Sequence, residues 1–355
     1  MKILLIRCSS FGDILLITPV LTVLKTRYPD AQIEVLSYAR FTGALLHHPL
    51  VHRIISLPKT VMLEQLKKLQ FIRFFRKLYN FMKTLRRHRY DHIIDLHNST
   101  DSALCALLAK GGQRTGHRSQ LLTLLFRKRT SFPISNLKAR EYAALLNLRI
   151  VTASGLLQKK DIKIIPDLSF HPGDAAETAA SSFLKQLHIS GKHLIGLTPS
   201  ASKMAKQWPE ENFIYFGKLI SQESRYTVLV FGAPRDRITV QNICAGIGDR
   251  AIPVCSLSIL VAFALFRHLD LLITNDTAAL HAATALSLPR IALFGPSNSR
   301  KFAPQDQRCT IIKAALPCSP CRDKTQKKCS ACMESITVRQ VYTATLNRLK
   351  QGRDK

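Results

Sequence analysis

The sequence predicts an α/β protein made of two Rossmann-like units with parallel sheets, and three observations carry that prediction. Short apolar runs such as KILLIR (residues 2–7) and LDLLIT (residues 269–274) show no polar alternation, as strands buried on both faces require. Each is followed by a tight turn and a helical pattern, the order of a parallel β-α-β unit. With 355 residues, 46% of them hydrophobic, the chain is also long enough for two cores.

KILLIR opens the first unit. The opening stretch superficially resembles a signal peptide, but Arg7 and Asp13 interrupt its apolar segment and no small-residue cleavage site follows, so it is read as a strand. The loop Cys8-Ser9-Ser10-Phe11-Gly12-Asp13 leads into a helix expected over 14–26, with Asp13 at the N-cap position. Two readings stay open for Asp13. It is a cap, or it is a catalytic base, because a carboxylate near a helix N-terminus stays ionised and can accept a proton from a hydroxyl. Residues 31–38 give the second strand.

Residues 61–89 interleave nine Lys and Arg with leucines and phenylalanines in one basic amphipathic helical region. Such a region either faces the core with a solvated cationic side or docks on a membrane surface; an exposed apolar edge would favour the membrane. HIIDLHNST, residues 92–100, is a third strand and loop carrying Asp95, His97 and Asn98. RTGHRS (114–119) and the run to Arg129 add basic side chains suited to phosphates. Turn signals without periodicity over 163–176 mark the linker, giving units 1–170 and 171–336 and a basic amphipathic helix in 337–355 that starts at a Thr337 cap.

In the second unit KHLIGLT is a strand, and SASKMAKQWP a small-residue loop holding Ser200, Ser202, Lys203 and Lys206, closed by Pro209 in a first helical turn. TVLVFGAPRDR is a further strand and turn with Asp236, read from spacing as a helix cap. After LDLLIT, Asn275 stops the strand and Asp276 or Thr277 caps a helix through Ala278 and His281. A helix N-terminus at the carboxyl end of a parallel sheet suits a phosphate or diphosphate. His281, four residues after Thr277, shares its face.

The totals narrow the partners. Fifty-two Lys and Arg against 23 Asp and Glu, formally +29, make a surface that seeks nucleic acid, anionic membrane or a phosphorylated substrate. Nucleic acid is not expected, because no zinc-finger helix, RRM aromatic signature or G-x-x-x-x-G-K loop is present. No segment reaches the ~20 apolar residues of a spanning helix, so a soluble or peripheral protein is expected. Nine cysteines without an export signal point to the cytoplasm. Cys318-x-x-Cys321 and Cys329-x-x-Cys332, with seven residues between the pairs, leave two readings open: a structural zinc, or a loop with reduced thiols or an adventitious disulfide.

NDTAALHAATALSLPRIALFG (275–295) resembles the C-terminal signature of the ADP-heptose:lipopolysaccharide heptosyltransferases, glycosyltransferase family 9, and the opening IRCSSFGDILLITPV resembles that family's N-terminus. SASKMAKQWP and the Cys332-Met333 pair match two further stretches. The resemblance implies a GT-B architecture, two Rossmann-like domains with parallel sheets facing a central cleft, and an inverting transfer of heptose from ADP-heptose to the lipopolysaccharide inner core. It implies that Asp13 is the base, with Ser10, Gly12, His97 and Asn98 on the acceptor. It assigns Lys206, Ser200, Ser202, Asp236, Asp276, Thr277, Ala278 and His281 to the donor. Where the family usually has Gly this chain has Ala278, whose methyl can crowd a phosphate approaching the backbone. No Asp-x-Asp pair sits at a strand end, so no catalytic metal is expected.

By analogy the terminal helix packs back toward the first domain, and the chain is a monomer acting peripherally at the cytoplasmic face of the inner membrane on a phosphorylated lipid A acceptor. Two other classes remain: a sugar-nucleotide epimerase on the same fold, which needs no Asp13, and a basic nucleic-acid-binding protein.

Overall fold

The computed structural model describes residues 1–117, 125, 126, 128–130, 141–162, 166–189, 191–321 and 329–351. The chain divides into two compact units, Met1–His171 and Pro172–Lys355. In the first, the apolar runs form β1 (Lys2–Ile6), β2 (Gln32–Tyr38), β3 (Arg53–Leu57), β4 (Tyr90–Asp95), β5 (Gly111–His117) and β6 (Lys128–Thr130), all parallel, in the order β3-β2-β1-β4-β5-β6. Their connections carry α1 (Phe11–Leu15), α2 (Thr18–Arg27), α3 (Lys59–Lys67), α4 (Phe71–Leu85), α5 (Thr100–Leu108) and α6 (Ala143–Ala153). Ile3 to Ile6 are fully buried, which explains the absence of alternation in KILLIR.

The second unit repeats the plan. Its strands β7 (His193–Thr198), β8 (Tyr226–Phe231), β9 (Ala251–Val254), β10 (Leu271–Asn275), β11 (Arg290–Phe294) and β12 (Cys309–Lys313) are parallel in the order β12-β11-β10-β7-β8-β9. The helices are α7 (Asp174–Gln186), α8 (Glu210–Ser221), α9 (Arg237–Ile247), α10 (Ile259–Ala264), α11 (Ala278–Ala285), α12 (Ser299–Phe302), α13 (Ala331–Glu334) and α14 (Val338–Gln351). Counted from its own first strand, each sheet has the order 3-2-1-4-5-6. The direction of winding therefore reverses between β1 and β4 in one unit and between β7 and β10 in the other, and ligands bind at the carboxyl ends of such strand pairs.

Three local readings change. The helix expected over 14–26 is two helices, because Pro19 offers no N–H and its ring would crowd the Leu15 carbonyl, which the Thr18 hydroxyl takes instead at 2.8 Å. The basic region is likewise two helices, α3 and α4, broken at Leu69, whose φ is +54°. Arg114, expected to meet phosphates, donates to the carbonyls of Ala106 and Ala109 at 2.9 Å each and so closes the C-terminus of α5; Arg118 and Ser119 lie outside the described residues. The terminal helix α14 packs on α8 and on β10 to β12 of its own unit, with Val341 fully buried. Its start is a reciprocal capping box between Thr337 and Gln340. Among the described residues no helix is long and apolar enough to cross a membrane.

Candidate active site

In the first unit β1 ends at Ile6, paired with Asp95 of β4, so the two turns that follow these strands start side by side. Ser10, in extended backbone, is the N-cap of α1, and its hydroxyl accepts from the Asp13 N–H at 3.3 Å. Asp13 was expected at that cap position. It sits one turn further in, where its carboxylate is held by side chains: Ser9 Oγ donates at 2.5 Å, Ser10 Oγ at 2.8 Å, and Arg7 Nη2 at 3.1 Å. The capping reading is thus taken over by Ser10, and the Asp13 carboxylate is left oriented and partly exposed. Arg7 in turn donates to the Leu96 carbonyl, tying the β1 turn to the β4 turn.

The β4 turn is organised by Asp95, which is fully buried and accepts from the His97 and Asn98 backbone N–H groups at 2.9 and 3.2 Å and from Ser102 Oγ at 2.9 Å. Burial pushes its carboxyl up to about 6, against the opposing pull of those donors and of Arg7. Burial and the Arg7 charge push the His97 imidazole down to about 4, so it is neutral at pH 7 and offers a hydrogen bond without a charge. Asn98 stands at φ +62°, a left-handed position that asparagine tolerates, and this sends the chain from strand to helix in few residues. Ser10, His97 and Asn98 thus lie on the two linked turns, while Gly12 is buried within α1.

The second unit has the corresponding pair of turns after β7 and β10, and here the charge is reversed. Lys206 Nζ donates to Asp276 Oδ2 at 2.7 Å, both side chains being largely buried. Asn275 fastens the loop that carries Lys206 at both ends: its Nδ2 donates to the Pro199 carbonyl at 2.8 Å and its Oδ1 accepts from the Trp208 N–H at 3.2 Å. Trp208, buried, donates from its indole to the Ile336 carbonyl at 2.8 Å. A lysine is thereby aimed by a clipped loop rather than left on the surface.

Helix α11 begins at Ala278 with Thr277 as an extended N-cap that makes no side-chain capping bond. The expected caps are otherwise engaged, Asp276 with Lys206 and Thr277 Oγ1 at 3.4 Å from Thr274 Oγ1. Thr274 also accepts from Thr198 Oγ1 at 2.5 Å, joining β7 and β10 at their carboxyl ends. An N-terminus of this kind, beside an aimed lysine, can bind a diphosphate. His281 is buried on α11. Ser200 and Ser202 lie on the Lys206 loop, Ser202 exposed. Asp236 turns its carboxylate onto the Ala233 N–H at 3.1 Å, so it closes its own turn.

The cysteine box divides. Cys332 is buried beside Met333, close enough to Gly295 that a Cβ there would sit 2.9 Å from the Cys332 sulfur, whereas Cys318 and Cys329 are exposed. Burial, reinforced by Cys329 and Cys318, raises the Cys332 thiol pKa. Among the described residues no group of three His, Cys, Asp or Glu is gathered to hold a metal ion. Residues 322–328 lie outside the described residues.

Sequence reasoning missed Arg7, Ser9 and Asn275. Their only sequence signal is polarity at the exact end of an apolar run, where the strand meets its turn.

Comparison with known proteins agrees with this layout. Glycosyltransferase family 9 (heptosyltransferase) matches residues 78–331, more than half of the chain. The lipooligosaccharide heptosyltransferase 2 of Haemophilus ducreyi is 26% identical over 326 residues, covering 88% of each chain. Among solved structures, the E. coli ADP-heptose lps heptosyltransferase II superposes with a TM-score of 0.78 at 23% identity, covering 99% of this chain and 100% of that one. A family 9 glycosyl transferase from Veillonella parvula gives 0.82 at 20% identity, covering 99% and 97%. Likeness at these identities shows the fold.

Proposed function

Because the chain belongs to glycosyltransferase family 9, the heptosyltransferases, we propose that it transfers heptose from ADP-heptose to the inner core of lipopolysaccharide, with inversion at the anomeric carbon. The observation that carries this reading is the contrast between the two units: one offers a carboxylate oriented by Arg7 and two serines, the other a lysine oriented by Asp276 beside an uncapped helix N-terminus. A base suits the acceptor hydroxyl and a cation suits the leaving diphosphate.

In the proposed step an acceptor hydroxyl oxygen attacks the anomeric carbon from the face opposite the diphosphate. The new C–O bond forms as the bond to the β-phosphate oxygen breaks, the proton passes to Asp13, and the electron pair leaves with ADP. Lys206 and the α11 N–H groups stabilise the charge that builds on the diphosphate. The Asp276 carboxylate holds Lys206 and can accept from a donor sugar hydroxyl. His97, neutral, and Asn98 contact the acceptor. The acceptor is a phosphorylated lipid, which places the enzyme at the cytoplasmic face of the inner membrane, and the strongly basic surface supports that location.

The test is a transfer assay with ADP-heptose and heptose-deficient lipopolysaccharide, following both ADP release and the mass of the acceptor. Stoichiometric ADP and heptosylated acceptor are expected. Consumption of ADP-heptose with no change in the acceptor would favour the epimerase class instead, and inertness toward ADP-heptose alongside use of another nucleotide sugar would overturn the donor assignment.

A further inference from the structure

Residues 65–90 contain nine Lys and Arg and no Asp or Glu. The structure shows what the sequence left open, namely how the apolar side chains among them are used. On α4 only Phe81 and Leu85 are buried, against the core of the first unit. Beside that row stands a second apolar row at i, i+3 and i+7, formed by Ile72 (86% exposed), Phe75 (61%) and Tyr79 (67%), and extended by Leu69 (72%) in the turn before the helix. Arg76 and Lys83 form the next row round the helix. The apolar arc of α4 is therefore about twice as wide as its contact with the core, and its outer half is bordered by cations.

We propose that this face of α3 and α4 is a docking surface for an anionic lipid bilayer, lying in the headgroup region with Leu69, Ile72, Phe75 and Tyr79 inserted and the flanking Lys and Arg on lipid phosphates. A second copy of this chain would bring two strongly cationic patches together and repel itself. A nucleic acid would satisfy the charges but leave the aliphatic Leu69 and Ile72 in water. An anionic bilayer satisfies both sets at once.

The placement serves the chemistry of the same unit. Lys59, at the start of α3, pairs with Asp101, in the first turn of α5 after β4, and this fixes the start of α3 at the carboxyl edge of the sheet, the edge that carries the Asp13 turn. From there α3 and α4 carry the chain back to the start of β4. This purpose rests on the proposed reading, in which the acceptor is lipid-anchored.

The experiment is vesicle co-sedimentation of the full chain with phosphatidylglycerol-rich and with phosphatidylcholine vesicles, comparing wild type with Ile72→Glu/Phe75→Glu and with Arg76→Glu/Lys83→Glu. These side chains are largely exposed, and an unchanged melting temperature will show that each variant folds. Wild type should bind the anionic vesicles and release at about 0.5 M salt, and each double variant should bind roughly tenfold less or weaker. Wild-type binding by the apolar variant, equal binding to neutral vesicles, or a fall in oligomeric mass in either variant would overturn the proposal. Transfer assays separate it from the functional reading: variants that glycosylate a delipidated core oligosaccharide normally but a vesicle-borne acceptor poorly support docking, whereas wild type inert toward both acceptors overturns the functional reading alone.

Discussion

The two units are the same fold used twice with the charges exchanged. Each has the strand order 3-2-1-4-5-6, and in each the functional side chains follow the first and fourth strands. In the first unit a carboxylate, Asp13, is steadied by an arginine and two hydroxyls; in the second a lysine, Lys206, is steadied by a carboxylate. The supports differ as well. Asp13 rides on a short helix capped by its neighbour Ser10, so its position is set locally, whereas Lys206 rides on a loop whose two ends are fastened by Asn275, a residue of another strand. The difference teaches that the fold supplies only the place while the side chains set the sign of the charge presented there, and in the proposed reading that sign gives each unit its half of the transfer.

The largest effect should come from removing the proposed base. Asp13→Asn keeps the size and one acceptor oxygen for Arg7, and the Ser9 and Ser10 hydroxyls can turn to accept from the new amide N–H, but it cannot take a proton. Transfer should fall by ~10²–10⁴-fold while ADP affinity, measured by calorimetry, stays at the wild-type value. A variant that transfers at the wild-type rate would mean that the serines and Arg7 merely hold a structural carboxylate, and the contrast between the units would collapse.

Lys206→Ala should act on binding and turnover together, because the lysine meets diphosphate charge in both the ground and the transition state. It also leaves Asp276, 7% exposed, without its cation. A fall of roughly 10–100-fold in kcat/KM is expected, with ADP affinity falling in parallel. Adding Asp276→Asn to Lys206→Ala separates the two causes. If that second change restores ADP affinity, the loss came from the stranded carboxylate and Lys206 is no phosphate ligand.

Much of this comparison was legible in the sequence because buried parallel strands and strand-to-helix turns leave local patterns. KILLIR and LDLLIT declared themselves by their uniform apolarity, and Asp13, Lys206 and Asp276 by their place just after such runs. What was not legible depends on contacts distant in sequence. Asn275 reads as a strand stop, yet its partners are 67 and 76 residues away. Arg114 reads as a basic loop residue, yet it closes a helix end. The terminal helix has an amphipathic pattern that says it packs but not on what. The apolar residues of α4 are the sharpest case, since periodicity marks the face of a helix that avoids water and is silent on whether protein or lipid covers it.

The smallest effect tests the buried titratable groups of the first unit, among them Asp95 and His97 of the β4 turn that Arg7 ties to the Asp13 turn. Burial pushes His48 and His97 down to about 4, so between about pH 6.5 and 4 the unfolded chain binds protons that the native one refuses, and stability is lost as pH falls. Asp95 works the other way. Its carboxyl is pushed up to about 6, so below that pH the native chain holds a proton that the unfolded chain releases until about pH 4, and this group gains stability as pH falls. Two groups against one give a net acid loss. Asp95→Asn removes the opposing gain, and its oxygen can still accept from the His97 and Asn98 N–H groups. The melting temperature of the variant should therefore drop more than that of wild type between pH 7 and pH 4.5, by the equivalent of about 2 kcal/mol. A purely structural defect would lower both points equally. An unchanged difference between the two pH values would mean that Ser102, Arg7 and the two backbone donors, rather than burial, decide the state of Asp95, and that its carboxylate stays ionised well below pH 6.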